Sequence, residues 1–405
     1  MRRRDFMKTS AYAAASLGFA AGFASEAQAT TPSEMPVIVL SGPARQRGRI
    51  HGETLKKKIT EIIKIWKDDI GKRHKTDPDK YLAEFLEKTA FGGAIKRWTP
   101  DLEDEVRGIG EGSGVDYSTI FAYQLMDEEW WFALHRELGM PLPEARGCSV
   151  IGAFHQEGLP SLLAQNMDLG CTTDGFKALL RIKPSDSTPE SLVFTIAGLI
   201  ATCGVNDRSV GICCNTLLQL DHRPDGLPVA FIVRGVLAKA RYSEAIAFIH
   251  EIKHASGQCY TIGGPDEVSC YEASANKVVR FIPDEKLSRV YHTNHPLVND
   301  DQKIFKEIQK KRGADQKAKI PIPGNSEIRF AAVEKRMKDP LQKVTVESIE
   351  SALRSQDDPL NPICRKNAGQ GSMTAGSVIM ELSLPPVLHA APGPPCVDPY
   401  KAYRF

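Results

Sequence analysis

The chain of 405 residues carries 52 basic and 50 acidic side chains, a formal net charge of +2, and 42% hydrophobic residues. Without residues 1–29 the charges of the two signs are equal in number, so no bulk basic field remains. This excludes binding to nucleic acid or an anionic membrane through many phosphate contacts, which needs concentrated Lys and Arg. The apolar content can build one large domain or two medium ones.

The amino terminus has the order of features typical of a signal peptide. Arg2, Arg3 and Arg4 precede a short apolar stretch, 11–24, and Ala27-Gln28-Ala29 offers a cleavage site. The stretch is shorter than the roughly 20 residues of a membrane-spanning helix. Residues 1–29 are therefore predicted to be a twin-arginine signal that directs a periplasmic or secreted protein without a stable membrane anchor after its removal. The alternative is an alanine-rich terminus of a cytosolic protein.

Residues 30–147 are predicted to form a mainly helical segment, because apolar residues recur there at helical spacing. The predicted helices are Leu55–Lys67, Tyr81–Ala90, Leu102–Gly110 and Ser118–Leu134. A run of alternate glycines, 108–114, follows a helix-like stretch rather than a strand. It therefore indicates turns and close packing more than a phosphate-binding loop.

From Cys148 onward short runs of Val, Ile, Leu and Phe alternate with turn sequences, which is typical of antiparallel hairpins. The predicted strands are Cys148–Phe154, Ser161–Asp168, Ala178–Ile182, Leu192–Ala197, Gly211–Asn215 and several within Cys259–Ile282. Two helices, Val229–Ala240 and Tyr242–Lys253, interrupt them, and Asp300–Lys319 is predicted to be a solvated helix and loop. Strands in one block and helices in another predict an α+β fold.

Nine cysteines, an odd number, are spread over the carboxy-terminal two thirds without a C-x-x-C pair, so no zinc site or other metal site is predicted. A protein exported in the folded state acquires its structure in a reducing cytoplasm, so a disulfide framework is not expected, although later oxidation of a pair stays open. The cysteines are Cys148, Cys171, Cys203, Cys213, Cys214, Cys259, Cys270, Cys364 and Cys396.

The dipeptide Gly147-Cys148 stands where the helical part meets the strand-rich part. Gly147 has no side chain to block a thiol and tolerates a strained backbone, and Cys148 supplies the sulfur for an N-to-S acyl shift. Hydrolysis of the resulting thioester would expose Cys148 as a new amino terminus. Its α-amino group, with an ordinary pKa of about 7.7–8.0, could then serve as base for its own thiol. Alone, such a cysteine is more often a buried structural thiol.

Several segments in a fixed order give this dipeptide a context. They are Ser41-Gly42-Pro43, Arg47-Gly48, His51-Gly52-Glu53, 105–112, Gly147-Cys148-Ser149, Gln165-Asn166-Met167-Asp168, 211–217, His292-Thr293-Asn294-His295, Gly376-Ser377-Val378 and 392–396. From about residue 39 to 403 the chain resembles the acyl-coenzyme A:6-aminopenicillanic acid acyltransferase family of self-processing N-terminal-cysteine enzymes, which also includes β-alanyl-amine hydrolases. No penicillin-specific signature is present, so the resemblance concerns mechanism more than substrate.

The resemblance implies one αββα catalytic domain over residues 30–405, cut before Cys148 into segments 30–147 and 148–405 that stay associated. It implies that Cys148 is the nucleophile, that Asp168 orients its amino group, and that Asn294 donates to an oxyanion hole. Asn215 is a weaker candidate for the same pocket. Asp168 and Asn294 could instead be turn residues.

Two further residues have open roles in the sequence. His295 could act as acid or base, but the terminal amine removes the need for it, and a structural histidine is the commoner case. Arg365 could bind a substrate carboxylate or only close a surface ion pair.

The predicted function is an amide hydrolase that acts on small-molecule C–N amides through a Cys148 thioester and needs no cofactor. An acyltransferase is the first alternative, ranked lower because little acyl-coenzyme A is present outside the cytoplasm. A papain-like enzyme that pairs Cys148 with His292 or His295, without chain cleavage, is the second. The third is an inactive exported binding protein with the same fold.

Overall fold

The computed structural model describes residues 35–136, 147–314, 324–369 and 371–405, with side chains of 312–314 left aside. The predicted signal segment and its cleavage site lie outside the described residues, as does Arg146, the residue before Gly147. In the described part of the chain no helix is both long and apolar enough to cross a bilayer.

Fourteen strands and twelve α-helices are described. The strands are β1 Val37–Gly42, β2 Gly147–Ala153, β3 Leu162–Gly170, β4 Lys177–Pro184, β5 Ser191–Ile196, β6 Cys203–Asn206, β7 Gly211–Thr216, β8 Gln258–Gly263, β9 Val268–Ala273, β10 Val278–Phe281, β11 Arg289–His292, β12 Ser372–Glu381, β13 Val387–Ala391 and β14 Lys401–Tyr403. The helices are α1 Ala44–Thr54, α2 Lys56–His74, α3 Pro78–Glu87, α4 Phe91–Trp98, α5 Pro100–Ser113, α6 Tyr117–Tyr123, α7 Met126–Arg136, α8 Val229–Leu237, α9 Tyr242–Glu251, α10 Lys303–Ala314, α11 Gly324–Met337 and α12 Val346–Leu353.

The strands form two sheets. Eight strands pair in the order β1-β4-β5-β6-β7-β8-β9-β10, and six pair in the order β11-β2-β3-β12-β13-β14. β1 runs parallel to β4, and the other pairs among the described strands are antiparallel. Antiparallel neighbours joined by short turns are what the hairpin pattern after Cys148 predicts.

Three apolar clusters hold the sheets and helices together as layers. One joins α2 and α8 to the outward side chains of β7 and β8 on the eight-stranded sheet. A second lies between the sheets and joins β2 and β3 to β5 and β7, and a third joins β2 and β12 to α11 and α12. Because side chains alternate along a strand, Val150 faces the intersheet core while Ile151 faces α11. The predicted α+β class and its αββα sandwich are confirmed.

Helices α1 and α5 cross very closely, which explains several of the motif residues. A Cβ at Gly48 would lie 1.9 Å from Glu105 O, and one at Gly108 would lie 2.2 Å from Arg45 O. Beside this crossing, the buried Glu105 carboxylate accepts from Arg47 Nε at 3.0 Å and from Arg234 Nη1 at 2.5 Å. The glycines of 108–114 thus serve close packing and, at Gly114, a left-handed helix end.

The element predictions differ from the structure mainly before Cys148. The predicted helix Ser118–Leu134 is two helices, α6 and α7, with a break at Gln124 and Leu125. β1 was not predicted, and it lies in the segment expected to be mainly helical. Only the first part of Asp300–Lys319 is described, and there α10 is present from Lys303.

Candidate functional site

Cys148 is the second residue of β2, an interior strand of the six-stranded sheet. In the register of β2 and β3, Cys148 lies opposite Met167 and Gly147 lies opposite Asp168. The antiparallel pairing therefore places the predicted nucleophile, the predicted scissile residue and the predicted orienting carboxylate at one end of two neighbouring strands.

Asn294 comes to the same place from the chain after β11. Cys148 N donates to Asn294 Oδ1 at 2.6 Å, and Asn294 Nδ2 donates to Thr216 O at 3.1 Å. Arg329 Nη2 also donates to Asn294 Oδ1, at 2.9 Å. Because an atom that accepts from two donors must be the amide oxygen, these two hydrogen bonds fix the orientation of the Asn294 amide. Thr216 uses one of the two Nδ2 hydrogens. The oxyanion role predicted for Asn294 thus depends on the other and stays a prediction.

Arg329 is a residue of the site that was not identified from the sequence. It is fully buried on α11, and besides Asn294 it donates through Nη1 to Cys148 O at 2.6 Å and to Ser149 Oγ at 3.0 Å. A Cβ on Gly147 would lie 2.5 Å from Arg329 Nη2. The close approach of the guanidinium therefore favours glycine here.

Asp168 is buried and held by two residues from near the carboxyl end of the chain. Thr374 Oγ1 donates to Asp168 Oδ1 at 2.7 Å, and Arg365 Nε lies 3.4 Å from Asp168 Oδ2. Thr374 Oγ1 also accepts from Arg365 N at 2.9 Å, so the three residues form one network. Arg365 thus forms a largely buried ion pair and not a surface one, and the substrate role predicted for it stays a prediction. It neutralises the predicted catalytic carboxylate.

Burial controls the protonation of the site in the uncleaved chain. Burial and the nearby Asp168 carboxylate raise the pKa of the Cys148 thiol to about 12. Burial also raises the pKa of Asp168, and Arg329 and Arg365 partly oppose that change. The uncleaved thiol is therefore protonated at neutral pH.

A cavity of about 70 Å³ opens beside Cys148. Its wall is largely apolar and combines β2, β3 and β7 with helices α7 and α8 and the loop after β5. The residues are Gln124, Met126, Asp127, Trp130, Cys148, Gln165, Met167, Leu169, Leu199, Ala201, Thr202, Cys214, Thr216, Val229 and Ala230. Gln165 Nε2 donates to Cys214 O at 2.5 Å across the two sheets, which braces the strand ends around the thiol.

The remaining candidates lie outside this cavity wall. Asn215 is buried on β7 with neither amide atom hydrogen-bonded, and the alternation of the strand turns it away from the face of Cys214 and Thr216. His295 Nδ1 lies 2.8 Å from Ser326 Oγ, and burial lowers the pKa of His295 to about 4. His292 is occupied at both ring nitrogens, by Glu272 and by its neighbour's carbonyl.

Neither histidine is thus arranged as the base of a papain-like pair. Among the described residues, no group of three or more His, Cys, Asp and Glu side chains is arranged to hold a metal ion.

Comparison with known proteins identifies the family of this chain. The model of the family described as acyl-coenzyme A:6-aminopenicillanic acid acyl-transferase matches residues 158–377. The chain belongs to this family. The resemblance predicted from the motifs is confirmed, and the family's acyl-transfer name agrees with the prediction of an enzyme. Asp168, Asn294, Arg329, Arg365 and Thr374 lie within the matched residues, and Cys148 precedes them.

The protein dcd1A of Dictyostelium discoideum is 24% identical over 311 residues, covering 67% of this chain and 66% of that protein. A mutant of the conjugated bile acid hydrolase from Clostridium perfringens shares 13% identity at a TM-score of 0.40, over 63% of this chain and 92% of that one. A penicillin V acylase from Agrobacterium tumefaciens shares 13% identity at a TM-score of 0.38, over 60% and 82%.

Proposed function

We propose that this member of the acyl-coenzyme A:6-aminopenicillanic acid acyl-transferase family is an amide hydrolase that cuts its own chain before Cys148 and then uses Cys148 as an N-terminal nucleophile. The proposal is carried by one arrangement. The Cys148 thiol borders a cavity, and its own backbone nitrogen is held by the partly buried Asn294 side chain. An N-terminal nucleophile needs its thiol and its amino nitrogen in one fixed frame, which this contact supplies.

Self-cleavage begins with attack of Cys148 Sγ on the carbonyl carbon of Gly147. The C–N bond breaks, the thiol proton passes to the departing nitrogen, and a thioester joins Gly147 to Cys148. Water then hydrolyses the thioester to a Gly147 carboxylate and a free thiol. Asn294 Oδ1 already accepts from the nitrogen that departs, so the strand start keeps its position while the bond breaks.

Turnover uses the amino group that cleavage releases. With an ordinary pKa of about 7.7–8.0, this amine accepts the thiol proton, which burial holds on the sulfur in the uncleaved chain. Sulfur attacks the substrate carbonyl, the ammonium returns a proton to the leaving amine, and water releases the acid from the thioester. Asp168, held by Thr374 and Arg365, orients the ammonium, and the second Nδ2 hydrogen of Asn294 is available for the oxyanion.

Hydrolysis is favoured over transfer because water is the acceptor at hand for an exported enzyme. An acyltransferase that passes the thioester to an amine is the alternative. A binding protein that has lost its chemistry fits less well, since a buried guanidinium, a buried carboxylate and a thiol beside a cavity are costly to retain in a scaffold without a reaction.

The test is intact mass and denaturing electrophoresis of the wild type, Cys148→Ala and Cys214→Ala. Cys214 is the matched control because it borders the same cavity. From 44.6 kDa over 405 residues, cleavage of the exported chain gives fragments of about 13 kDa and about 28 kDa. We expect both fragments in the wild type and Cys214→Ala, with Cys148 as the new amino terminus, and one intact chain in Cys148→Ala. An intact wild type would return the choice to a papain-like enzyme or an inactive scaffold.

The two fragments are expected to co-elute in size-exclusion chromatography. β1 pairs with β4 across the cut, and α2 shares its apolar cluster with α8, so cleavage of one connection leaves this packing buried. Elution of the small fragment alone would contradict this part of the proposal.

Export by the twin-arginine route is proposed from residues 1–29. Replacement of Arg3 and Arg4 by lysines should retain the protein in the cytoplasm with the signal uncleaved, as seen by fractionation and mass. Normal export of that variant would point to another route.

A further inference from the structure

Glu272 is a fully buried residue of β9 whose carboxylate accepts four hydrogen bonds. One comes from the side chain of His292, whose Nε2 lies 2.9 Å from Glu272 Oε1. The other three are donated, at 2.6–3.0 Å, by the backbone N–H groups of Leu297, Val298 and Asn299. A buried carboxylate needs such donors to compensate for the loss of water. Glu272 therefore binds two separate stretches of the chain after β11.

The residues between these two stretches, 293–296, carry Asn294, and we call them the Asn294 loop. His292 precedes the loop and Leu297 follows it, so one carboxylate holds both of its ends. From this loop Asn294 Oδ1 accepts from Cys148 N at 2.6 Å. The position of the side chain that holds the nitrogen of Cys148 thus depends on Glu272.

The hydrogen bonds of His292 define its protonation. Its Nδ1 lies 2.7 Å from Thr293 O, and a backbone carbonyl oxygen can only accept. Its Nε2 lies beside Glu272 Oε1. A proton on Glu272 would meet a donor at either oxygen, since Oε1 and Oε2 each accept from a backbone N–H. Both ring nitrogens of His292 therefore donate, and His292 is an imidazolium beside an ionised carboxylate.

The electrostatic surroundings agree with a charged pair. Burial lowers the pKa of His292, but Cys270, the Glu272 carboxylate and a neighbouring backbone carbonyl outweigh burial, and the pKa lies above its ordinary value. Burial raises the pKa of Glu272, but His292 and the backbone N–H groups outweigh it and hold the pKa below its ordinary value. Burial and then the charge of His292 lower the pKa of His295 in the loop.

We propose that Glu272 is a positioning residue, whose ion pair with His292 fixes both ends of the Asn294 loop and so holds Asn294 on the nitrogen of Cys148. Glu272 does not border the Cys148 cavity, and it acts through Asn294. Its effect on the reaction rests on the proposed function, whereas its effect on the contact between Asn294 and Cys148 does not.

The first measurement is the protonation of His292, by nitrogen NMR of the purified Cys148→Ala protein with isotope-labelled histidine. His292→Gln in the same background removes one set of signals and thereby assigns it. We expect both ring nitrogens to be protonated at neutral pH. A neutral imidazole with one bare nitrogen would overturn the ion pair.

The second measurement is hydrogen exchange at the amide of residue 148, in the same Cys148→Ala background. The amide group of Glu272→Gln would direct its own N–H bonds at backbone donors, which should release the Asn294 loop. We expect exchange at residue 148 to become about tenfold faster or more, the factor that corresponds to one hydrogen bond to a charged group.

Glu105→Gln is the matched control, because Glu105 is an equally buried carboxylate that binds Arg47 and Arg234 and not the Asn294 loop. It should leave exchange at residue 148 unchanged. If Glu272→Gln does not fold, His292→Gln removes the charge while its amide can still donate to Glu272, and it should speed exchange in the same way. Unchanged exchange in the folded variant would overturn the inference, and so would equal acceleration in Glu105→Gln.

In the cleaved enzyme, Glu272→Gln should lower kcat for amide hydrolysis about tenfold with KM nearly unchanged, because the cavity wall is intact. A change confined to KM would overturn the role of Glu272 in the reaction. A wild type that is never cleaved would contradict the proposed function, whereas the exchange at residue 148 would still decide whether Glu272 positions Asn294.

Discussion

Replacement of Gly147 by alanine is expected to slow self-cleavage strongly. The new Cβ would lie 2.5 Å from Arg329 Nη2 and 3.2 Å from Asn294 Oδ1. The Arg329 side chain cannot move away without losing hydrogen bonds, because its Nη2 donates to Asn294 and its Nη1 donates to Cys148 O at 2.6 Å. Relief of the clash therefore separates the guanidinium from the groups that hold the nucleophile.

The magnitude follows from the hydrogen bond that must be given up. One bond to a charged group contributes about 1.5–3 kcal/mol, and each 1.36 kcal/mol of barrier is about tenfold in rate. Gly147→Ala should thus cleave about 10- to 100-fold more slowly, measured as the appearance of the two fragments after a pulse of cell-free synthesis. Gly93→Ala is the control, since nothing lies within 4 Å of its added Cβ. Cleavage of Gly147→Ala at the wild-type rate would refute this account of the glycine.

Three further predictions concern single side chains. Thr374→Val removes the donor to Asp168 and should lower kcat for amide hydrolysis about tenfold while the chain still folds. Glu128→Gln should remove a pH dependence of stability. The pKa of Glu128 in the folded state, about 8, lies above the ordinary value of 4.5. The stabilisation by the protonated carboxyl is therefore complete below pH 4.5 and is lost as pH rises toward 8. The thermal midpoint of Glu128→Gln relative to wild type should therefore rise with pH over that interval. His295→Gln should keep most of the activity, because His295 is bonded to Ser326 and not to the nucleophile.

Each of these outcomes has a clear opposite. Thr374→Ser, which retains the hydroxyl, should restore kcat, and an equal loss in Thr374→Val and Thr374→Ser would show that the methyl group matters instead. A constant difference in midpoint between Glu128→Gln and wild type from pH 4.5 to 8 would mean that Glu128 does not titrate there. Loss of more than about a hundredfold in kcat/KM for His295→Gln would favour a papain-like mechanism.

The local sequence pattern was sufficient to predict the elements whose partners are near in sequence. β2, β3 and α8 are short runs rich in apolar residues, and they begin and end within two or three residues of their predicted limits. β1 is a short strand whose partner β4 lies about 140 residues later in the chain, so only the folded sheet gives it a reason to be extended. The break between α6 and α7 depends on Gln124, which bonds the loop at Gly198.

In the candidate site, too, the residues that a local motif marks were predicted and the residue that depends on distant contacts was not. Gly147, Cys148, Asp168 and Asn294 stand in segments that the family resemblance marks, and the fold brings them together. Arg329 is one cation in a helix of mixed charges, and its contacts with the Cys148 segment span 181 residues of sequence. No local pattern distinguishes such a residue from a solvated one, because its role exists only after α11 has packed on β2.

The network around Asp168 also bears on the moment of activation. Thr374 lies 206 residues after Asp168, and the strand that carries it, β12, pairs with β3 inside the six-stranded sheet. Under the proposed mechanism, a chain still emerging from the ribosome lacks the strand that secures its own orienting carboxylate. Because Asp168 orients the amino group that cleavage releases, turnover begins only after β12 has been made, and the order of synthesis itself acts as a timer for the enzyme.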